Sequence, residues 1–148
     1  MGNMDKKEAP PTGHRLVPHT ADRIIEAWGA ERSSCIVEAL MGLVESFARP
    51  KRGPRAERSL PLSAPPSRPE EMLVALVEQV IYALDVFGAV PIGFELEETE
   101  EGGMTGTMVV VPVASVDILG APPKAVSYHQ LSAGPTEKGW RCRMLVDV

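Results

Sequence analysis

The sequence predicts an α+β fold, a two-layer single domain in which two helices pack on one face of a mixed β-sheet. A chain of 148 residues is long enough to bury one hydrophobic core without disulfides or structural metals. Two stretches in its first two thirds carry apolar residues at three- and four-residue spacing, whereas β-prone runs fill the last third. Early helices followed by late strands favour α+β over alternating βαβ units.

The first residues predict a leader and two short strands. Residues 1–13 are polar and contain Pro10-Pro11, which is typical of a disordered leader, so the domain is expected to span 14–148. Residues 15–17 and 23–28 are β-prone. They flank Pro18-His19-Thr20-Ala21-Asp22, whose proline and small polar residues predict a turn.

Two amphipathic helices are expected next. Ser33 or Ser34 can cap the first, and Arg49-Pro50 should end it. Ser67 and Glu70 have the spacing of a capping box for the second, which should end at Gly88 in a left-handed turn. The expected apolar faces are Ile36, Leu40, Leu43, Val44 and Phe47 in the first helix, and Leu73, Leu76, Val77, Val80, Ile81 and Leu84 in the second.

The remaining strands are predicted from the turn residues that separate them. The proline- and arginine-rich stretch 49–68 offers one short edge strand, at 58–62. Glu101-Gly102-Gly103 predicts a hairpin turn between 92–99 and 104–113. Two more strands are expected, at residues 125–131 and 139–148.

Composition excludes several functional classes. The net charge of −5 argues against direct, autonomous binding of RNA or DNA, which uses a basic surface. There is no apolar run long enough for a membrane helix and no signal-peptide pattern, so a cytoplasmic protein, simplest as a monomer, is expected. Cys35 and Cys142 lack zinc-site spacing and are interpreted as reduced core thiols.

Motifs of self-contained catalysis are absent. The sequence has no P-loop, no GxGxxG before a helix, no HExxH and no GxSxG. Three histidines, His14, His19 and His129, are few candidates for general bases or metal ligands. An enzyme is therefore not indicated.

Two aspartates are the best candidates for a site. Asp22 has a structural alternative, because a carboxylate after a turn often caps local amides. Asp147 interrupts an apolar final strand, where its structural alternative is a solvated, fraying end. If the final strand lies beside the first, Asp22, Asp147 and the α-carboxylate of Val148 converge as three hard oxygen donors that suit Ca²⁺ or Mg²⁺.

A second segment, Lys124-Ala125-Val126-Ser127-Tyr128-His129, places a lysine and a histidine on either side of a β-prone run. Its spacing is weak evidence by itself. A histidine at the end of an apolar strand is more often a structural residue than a catalytic one.

Taken together, these motifs resemble the archease family. The matching features are His19-Thr20-Ala21-Asp22, the helix from Glu70 to Gly88, Lys124 to His129 and the closing Trp140 to Val148, in the same order and spacing over nearly the whole chain. One departure is that the family commonly follows HTAD with a small apolar residue and glycine, whereas this chain has Arg23-Ile24. Arg23 is therefore a potential competitor of a cation at Asp22, although neighbouring strand residues point to opposite faces.

The resemblance implies an accessory protein of the RtcB-type RNA-splicing ligase. Such a protein promotes guanylylation of the ligase and its multiple turnover in tRNA splicing or RNA repair. It implies a divalent-cation site, calcium or magnesium, at Asp22 and Asp147, with main-chain or terminal oxygens of Val148. His19, Lys124 and His129 match motif positions and are assigned a supporting role.

Two other functions compete with this interpretation. One is a small chaperone-like protein-binding module in which a metal holds the C-terminus to the fold. The other is a metal-dependent hydrolase that uses the same carboxylates to activate water. The hydrolase requires a general base near the cation, for which the sequence offers His19 or His129.

Overall fold

The structure, a computed structural model, describes residues 11–17 and 22–148 and contains two α-helices, one short 3-10 helix (Val113–Ser115) and nine strands in that part of the chain. The helices are α1 (Arg32–Glu45) and α2 (Pro69–Phe87). The strands are β1 (Gly13–Val17), β2 (Asp22–Gly29), β3 (Ala48–Pro50), β4 (Arg58–Ala64), β5 (Ala89–Glu98), β6 (Met104–Pro112), β7 (Val116–Ile118), β8 (Ala125–Thr136) and β9 (Gly139–Asp147). The predicted α+β class with two helices is confirmed.

The strands form three antiparallel sheets. The largest has the order β1-β2-β9-β8, a second has the order β4-β6-β5, and β3 pairs with β7. A single mixed sheet was expected, but every strand pair in the described ranges is antiparallel. Strand periodicity sets which side chains share a face, whereas pairing direction depends on distant partners, so the sequence did not determine it.

Each helix contacts both larger sheets. Helix α1 packs against β1, β2 and β9 on one side and β5 on the other, and α2 packs against β8, β4 and β5. The predicted apolar faces are buried in this shared core, apart from Leu84, which is half-buried. The helices thus join the two sheets through one hydrophobic core.

The start of α1 differs from the prediction. Helix α1 begins at Arg32, so Ser33 and Ser34 lie inside its first turn rather than at its cap. Glu31 precedes the helix, and its backbone N–H donates to Ser34 Oγ at 3.1 Å. The helix ends at Glu45, before the expected stop at Arg49-Pro50, because Ala48–Pro50 is drawn into the ladder with β7.

The boundaries of α2 were predicted more closely. Its expected cap, Ser67, instead donates its hydroxyl to Pro65 O at 3.1 Å. The capping contact occurs one residue later, where the Arg68 N–H donates to Glu71 Oε1 at 3.3 Å. Gly88 ends the helix at φ 59°, in the left-handed region, as predicted.

Two predictions for the N-terminal region lie largely outside the described residues. Residues 1–10 of the expected leader and residues 18–21 of the expected turn, including His19, are not described. On either side of that turn, β1 and β2 confirm the two predicted strands. None of the helices in the described ranges combines the length and apolar character needed to cross a bilayer.

Candidate metal centre

Asp22 and Asp147 lie directly opposite each other where β2 pairs with β9. Directly opposed residues of an antiparallel pair have Cβ atoms about 4.5–5.5 Å apart and side chains on the same face. Two aspartates whose Cβ atoms lie that close can direct carboxylate oxygens to one cation, whose two ligands lie up to ~5–6 Å apart. The register therefore brings together two aspartates that are 125 residues apart in sequence (147 − 22).

Alternation along β9 explains why an aspartate is tolerated in its apolar sequence. Cys142, Met144 and Val146 face the helices and are buried, whereas Asp147 lies on the outer face and is exposed. Asp22 is half-buried on the same outer face. The carboxylate of Asp147 thus stays solvated, and no burial penalty has to be offset by an ion pair.

The C-terminal end of β9 is held between two strands. Asp147 is the register partner of Asp22 on β2 and of Ala125 on β8, and its carbonyl oxygen accepts the backbone N–H of Lys124 at 2.8 Å. Val148 follows directly and is half-buried, so its oxygens lie next to the carboxylate pair along the chain. Lys124 is exposed and starts the segment that leads into β8.

Nearby arginines are engaged away from the two aspartates. The guanidinium of Arg23 donates to Ala121 O at 2.6 Å and to Ser46 Oγ at 3.4 Å, on the helix side of the sheet. The expected competition of Arg23 with a cation therefore does not occur in this geometry. Among the described residues, no salt bridge reaches Asp22 or Asp147.

A charged network occupies the same outer face further along the strands. Glu26 forms ion pairs with Arg143 and with Arg15, the latter at 2.6 Å. Burial raises the pKa of Glu26, but hydrogen bonds and attraction from the two arginines outweigh it and leave the pKa below its ordinary value. The buried pair Ile24 and Leu145 separates this network from the aspartates.

The structure does not bring His129 to the carboxylate pair. Ala125 opposes Asp147 and Ser127 opposes Leu145, whereas His129 lies beyond this paired segment of β8. It is exposed in a bulge, residues 128–131, that the sequence did not reveal. Gln130 adopts φ 61° there, which is unusual for a residue other than glycine, and its Oε1 accepts a bond from Arg143 at 3.1 Å.

Two carboxylates that have solvent access and form no salt bridge with any of the described residues fit a hard cation such as Ca²⁺ or Mg²⁺. Within the described ranges, no group of three or more His, Cys, Asp or Glu side chains is arranged around one metal position. The remaining donors of a cation at Asp22 and Asp147 would therefore be main-chain oxygens, water or atoms of a partner. Such a site is open rather than closed.

Histidine 14 contributes to the fold rather than to this centre. Its Nδ1 and Nε2 lie 2.6 Å and 2.5 Å from carboxylate oxygens of Glu38 and Glu45 on α1. Burial by itself lowers the pKa of His14, but hydrogen bonds and attraction from the two glutamates leave it raised. This contact attaches β1, which precedes the HTAD segment, to α1.

An open groove of about 840 Å³ lies elsewhere. It is lined by residues 30–33, Leu96, Glu97, Glu98 and Trp140. Trp140 pairs with Gly29 at the opposite end of β2 and β9 from Asp22 and Asp147. The groove and the carboxylate pair are therefore separate features.

Comparison with known solved structures supports the fold. The solution structure of protein 1598 of Methanobacterium thermoautotrophicum matches 92% of this chain and 99% of its own, with a TM-score of 0.71 at 18% identity. The crystal structure of an archease from Thermotoga maritima, described as a possible chaperone, covers 90% of this chain and 96% of its own, with a TM-score of 0.63 at 18% identity.

Sequence comparisons give the family. The model of the Archease protein family (MTH1598/TM1083) matches residues 14–148. A probable protein archease of Mycobacterium tuberculosis is 39% identical over 143 residues, covering 96% of this chain and 78% of the relative. Protein archease of Archaeoglobus fulgidus is 23% identical over 141 residues, covering 91% of this chain and 98% of the relative. This chain belongs to the archease family.

Proposed function

We propose that this protein is a metal-dependent accessory protein of an RtcB-type RNA ligase, which promotes the ligase's guanylylation and multiple turnover in tRNA splicing or RNA repair. The observation that carries the proposal is the opposed pair on the outer face of the sheet, where Asp147 is exposed and Asp22 is half-buried. In a member of the archease family, these are the positions at which the family resemblance implies a cation.

The proposed cation is held by the carboxylates of Asp22 and Asp147 and by oxygens of Val148. With two protein carboxylates, the coordination shell of Ca²⁺ or Mg²⁺ is left incomplete and accepts further oxygen ligands. The bound ion supplies positive charge with open coordination positions where the two carboxylates face each other. The backbone bond from Lys124 to Asp147 holds the second carboxylate in position.

The overall charge suits an accessory role. With a net charge of −5, the protein lacks the basic character that autonomous RNA binding requires. It can instead present carboxylates to a basic, metal-using partner by electrostatic complementarity. The RNA and the nucleotide chemistry then belong to the ligase.

The test is a turnover assay of an RtcB-type ligase with GTP, Mg²⁺ or Mn²⁺ and an RNA that ends in a 2′,3′-cyclic phosphate. Asp22→Asn and Asp147→Asn are compared with the parent, and ligase guanylylation is followed separately. Asp85→Asn, at an exposed position of α2, is the matched control because it removes one carboxylate elsewhere. The expected result is loss of stimulation in the two site variants alone.

Equal stimulation by all four proteins would refute the role of the aspartates. Absence of stimulation by the parent, with a ligase from the same source, would refute the ligase partnership itself. Folding of each variant is checked by its melting temperature, so that loss of stimulation is not mistaken for loss of structure.

A second candidate is a chaperone-like binding module, which is favoured by the description of the Thermotoga maritima structure as a possible chaperone. In that function the cation attaches the end of β9 to β2 and serves stability alone. Chelation would then lower the melting temperature without a specific effect on ligation. A metal-dependent hydrolase has less support, because of its two candidate bases His129 lies outside the part of β8 that pairs beside Asp147, and His19 lies outside the described residues.

A further inference from the structure

The two cysteines of the chain, 107 residues apart in sequence, are in contact in the core. Cys35 lies in the first turn of α1, and Cys142 lies on the face of β9 that is turned toward the helices. Their sulfur atoms are 3.0 Å apart. A disulfide has an S–S distance of about 2.05 Å, so a shift of about 1 Å separates contact from a covalent bond.

The residues that flank Cys142 in the sheet are small. Its register partners on β2 and β8 are Ala27 and Ala133, both small and buried. The thiol of Cys35 also donates to the Ala27 carbonyl oxygen at 3.6 Å. The described residues contain no other cysteine and no metal cluster, so the two thiols are not part of a zinc site.

The paired thiols differ in acidity. The hydrogen bond with Cys142 stabilises the thiolate of Cys35 and lowers its pKa although burial raises it, and the positive charge of Arg141 acts in the same direction as the hydrogen bond. The same hydrogen bond, together with burial, raises the pKa of Cys142. Cys35 lies in the first turn of α1, where the helix dipole also favours a thiolate, and we assign it as the nucleophile of the pair.

We propose that Cys35 and Cys142 are a redox-active dithiol that hydrogen peroxide converts reversibly into an intramolecular disulfide joining α1 to β9. Both side chains are buried, so the oxidant must be a small neutral molecule rather than a protein or a glutathione disulfide. The proposal does not depend on the cation site or on a ligase.

The reaction balances in two steps. The Cys35 thiolate attacks one peroxide oxygen, the O–O bond breaks, and hydroxide leaves and takes up a proton, which gives a sulfenic acid and water. The Cys142 sulfur then attacks the Cys35 sulfur, the S–OH bond breaks, and the departing hydroxide combines with the Cys142 proton as a second water. The two thiols lose two electrons in total, and one peroxide is reduced to two water molecules.

The test uses the full chain treated with hydrogen peroxide, then unfolded and labelled with N-ethylmaleimide for intact mass measurement. The reduced protein has two cysteines and takes two labels. The expected product is about 2 Da lighter than the reduced chain, takes no label, and regains both labelling sites after dithiothreitol. A digest should contain the peptide that links Cys35 to Cys142.

The single variants Cys35→Ala and Cys142→Ala are the controls, because neither can form the bridge. Each should keep its one labelling site, or gain oxygen mass, under conditions that remove both sites from the parent. A parent that keeps both labels, gains oxygen atoms on separate cysteines, or forms covalent dimers would overturn the proposal.

A melting experiment tests whether the bridge forms within the native fold. A disulfide between residues 107 positions apart closes a long loop and restricts the unfolded chain. The oxidised parent should therefore melt at a higher temperature than the reduced parent. An oxidised form that melts at the same or a lower temperature would mean that the bridge distorts the core. That result would overturn the proposal that the disulfide forms within the native fold.

Discussion

Asp22 and Asp147 are register partners on adjacent antiparallel strands, so two like charges face each other at one end of the main sheet. Like charges directly opposite each other are destabilising, and no salt bridge in the described ranges relieves this pair. An arrangement that costs stability in the absence of a ligand is typical of a binding site. The consequences of this arrangement can be measured.

We expect Asp22→Asn and Asp147→Asn each to stabilise the metal-free protein, because each removes the repulsion between opposed carboxylates. The gain in unfolding free energy in EDTA should be up to about 1 kcal/mol, the range of cross-strand charge pairs. With saturating Ca²⁺ the order should reverse, since only the parent gains stability from binding. The unfolding free energies of the parent and the two variants are measured by chemical unfolding with and without Ca²⁺.

The control for that experiment is Asp85→Asn, which should behave as the parent in both conditions. A destabilised Asp22→Asn or Asp147→Asn in EDTA would contradict the repulsion and indicate that the carboxylate caps local amides instead.

Arg23→Gln should leave cation binding almost unchanged. The guanidinium of Arg23 points to the helix side, where it contacts Ala121 and Ser46, while Asp22 lies on the outer face. Removing its charge should raise Ca²⁺ affinity less than about fivefold, which corresponds to the ~1 kcal/mol upper range for exposed charge pairs. Isothermal titration calorimetry measures the affinity, and a much larger gain would mean that Arg23 occupies the site in solution.

His14 should make stability depend on pH above neutrality. Its folded-state pKa lies above 6.5, so its contribution is complete below pH 6.5 and is lost as pH rises through the folded-state pKa. At pH 6 the unfolding free energy of the parent should be about 1 kcal/mol higher than that of His14→Gln, and this difference should be smaller at pH 8.5. Urea unfolding of both proteins across this range tests it, and a constant difference would contradict a protonated His14.

Glu26 should have the opposite pH dependence. Because its folded-state pKa lies below 4.5, the ion pairs with Arg15 and Arg143 contribute above pH 4.5 and are lost as pH falls through the folded-state pKa. At pH 7, Glu26→Gln should cost about 1 kcal/mol of unfolding free energy. Melting at pH 3 to 7 should show the two proteins converging at the acidic end, and a cost that persists there would indicate packing rather than charge.

Local patterns of residues were sufficient to predict the helices and most strands, and they singled out Asp22 and Asp147 as candidate residues. Apolar spacing in α1 and α2 predicted their buried faces, since burial of a helix face depends on residues three and four apart. Gly88 predicted the end of α2 because a left-handed turn favours glycine. The capping residues were misplaced because short polar side chains occur both at caps and within first turns.

Contacts between distant segments were decided by the tertiary structure alone. The register of β2 against β9 places Asp22 beside Asp147, and the packing of α1 on that sheet places Cys35 against Cys142 and His14 between two glutamates. No local pattern encodes these pairings, because register follows from the simultaneous burial of several faces in one core. The sequence therefore supplied the chemical groups, and the packing of the sheet on the helices determined which of them meet.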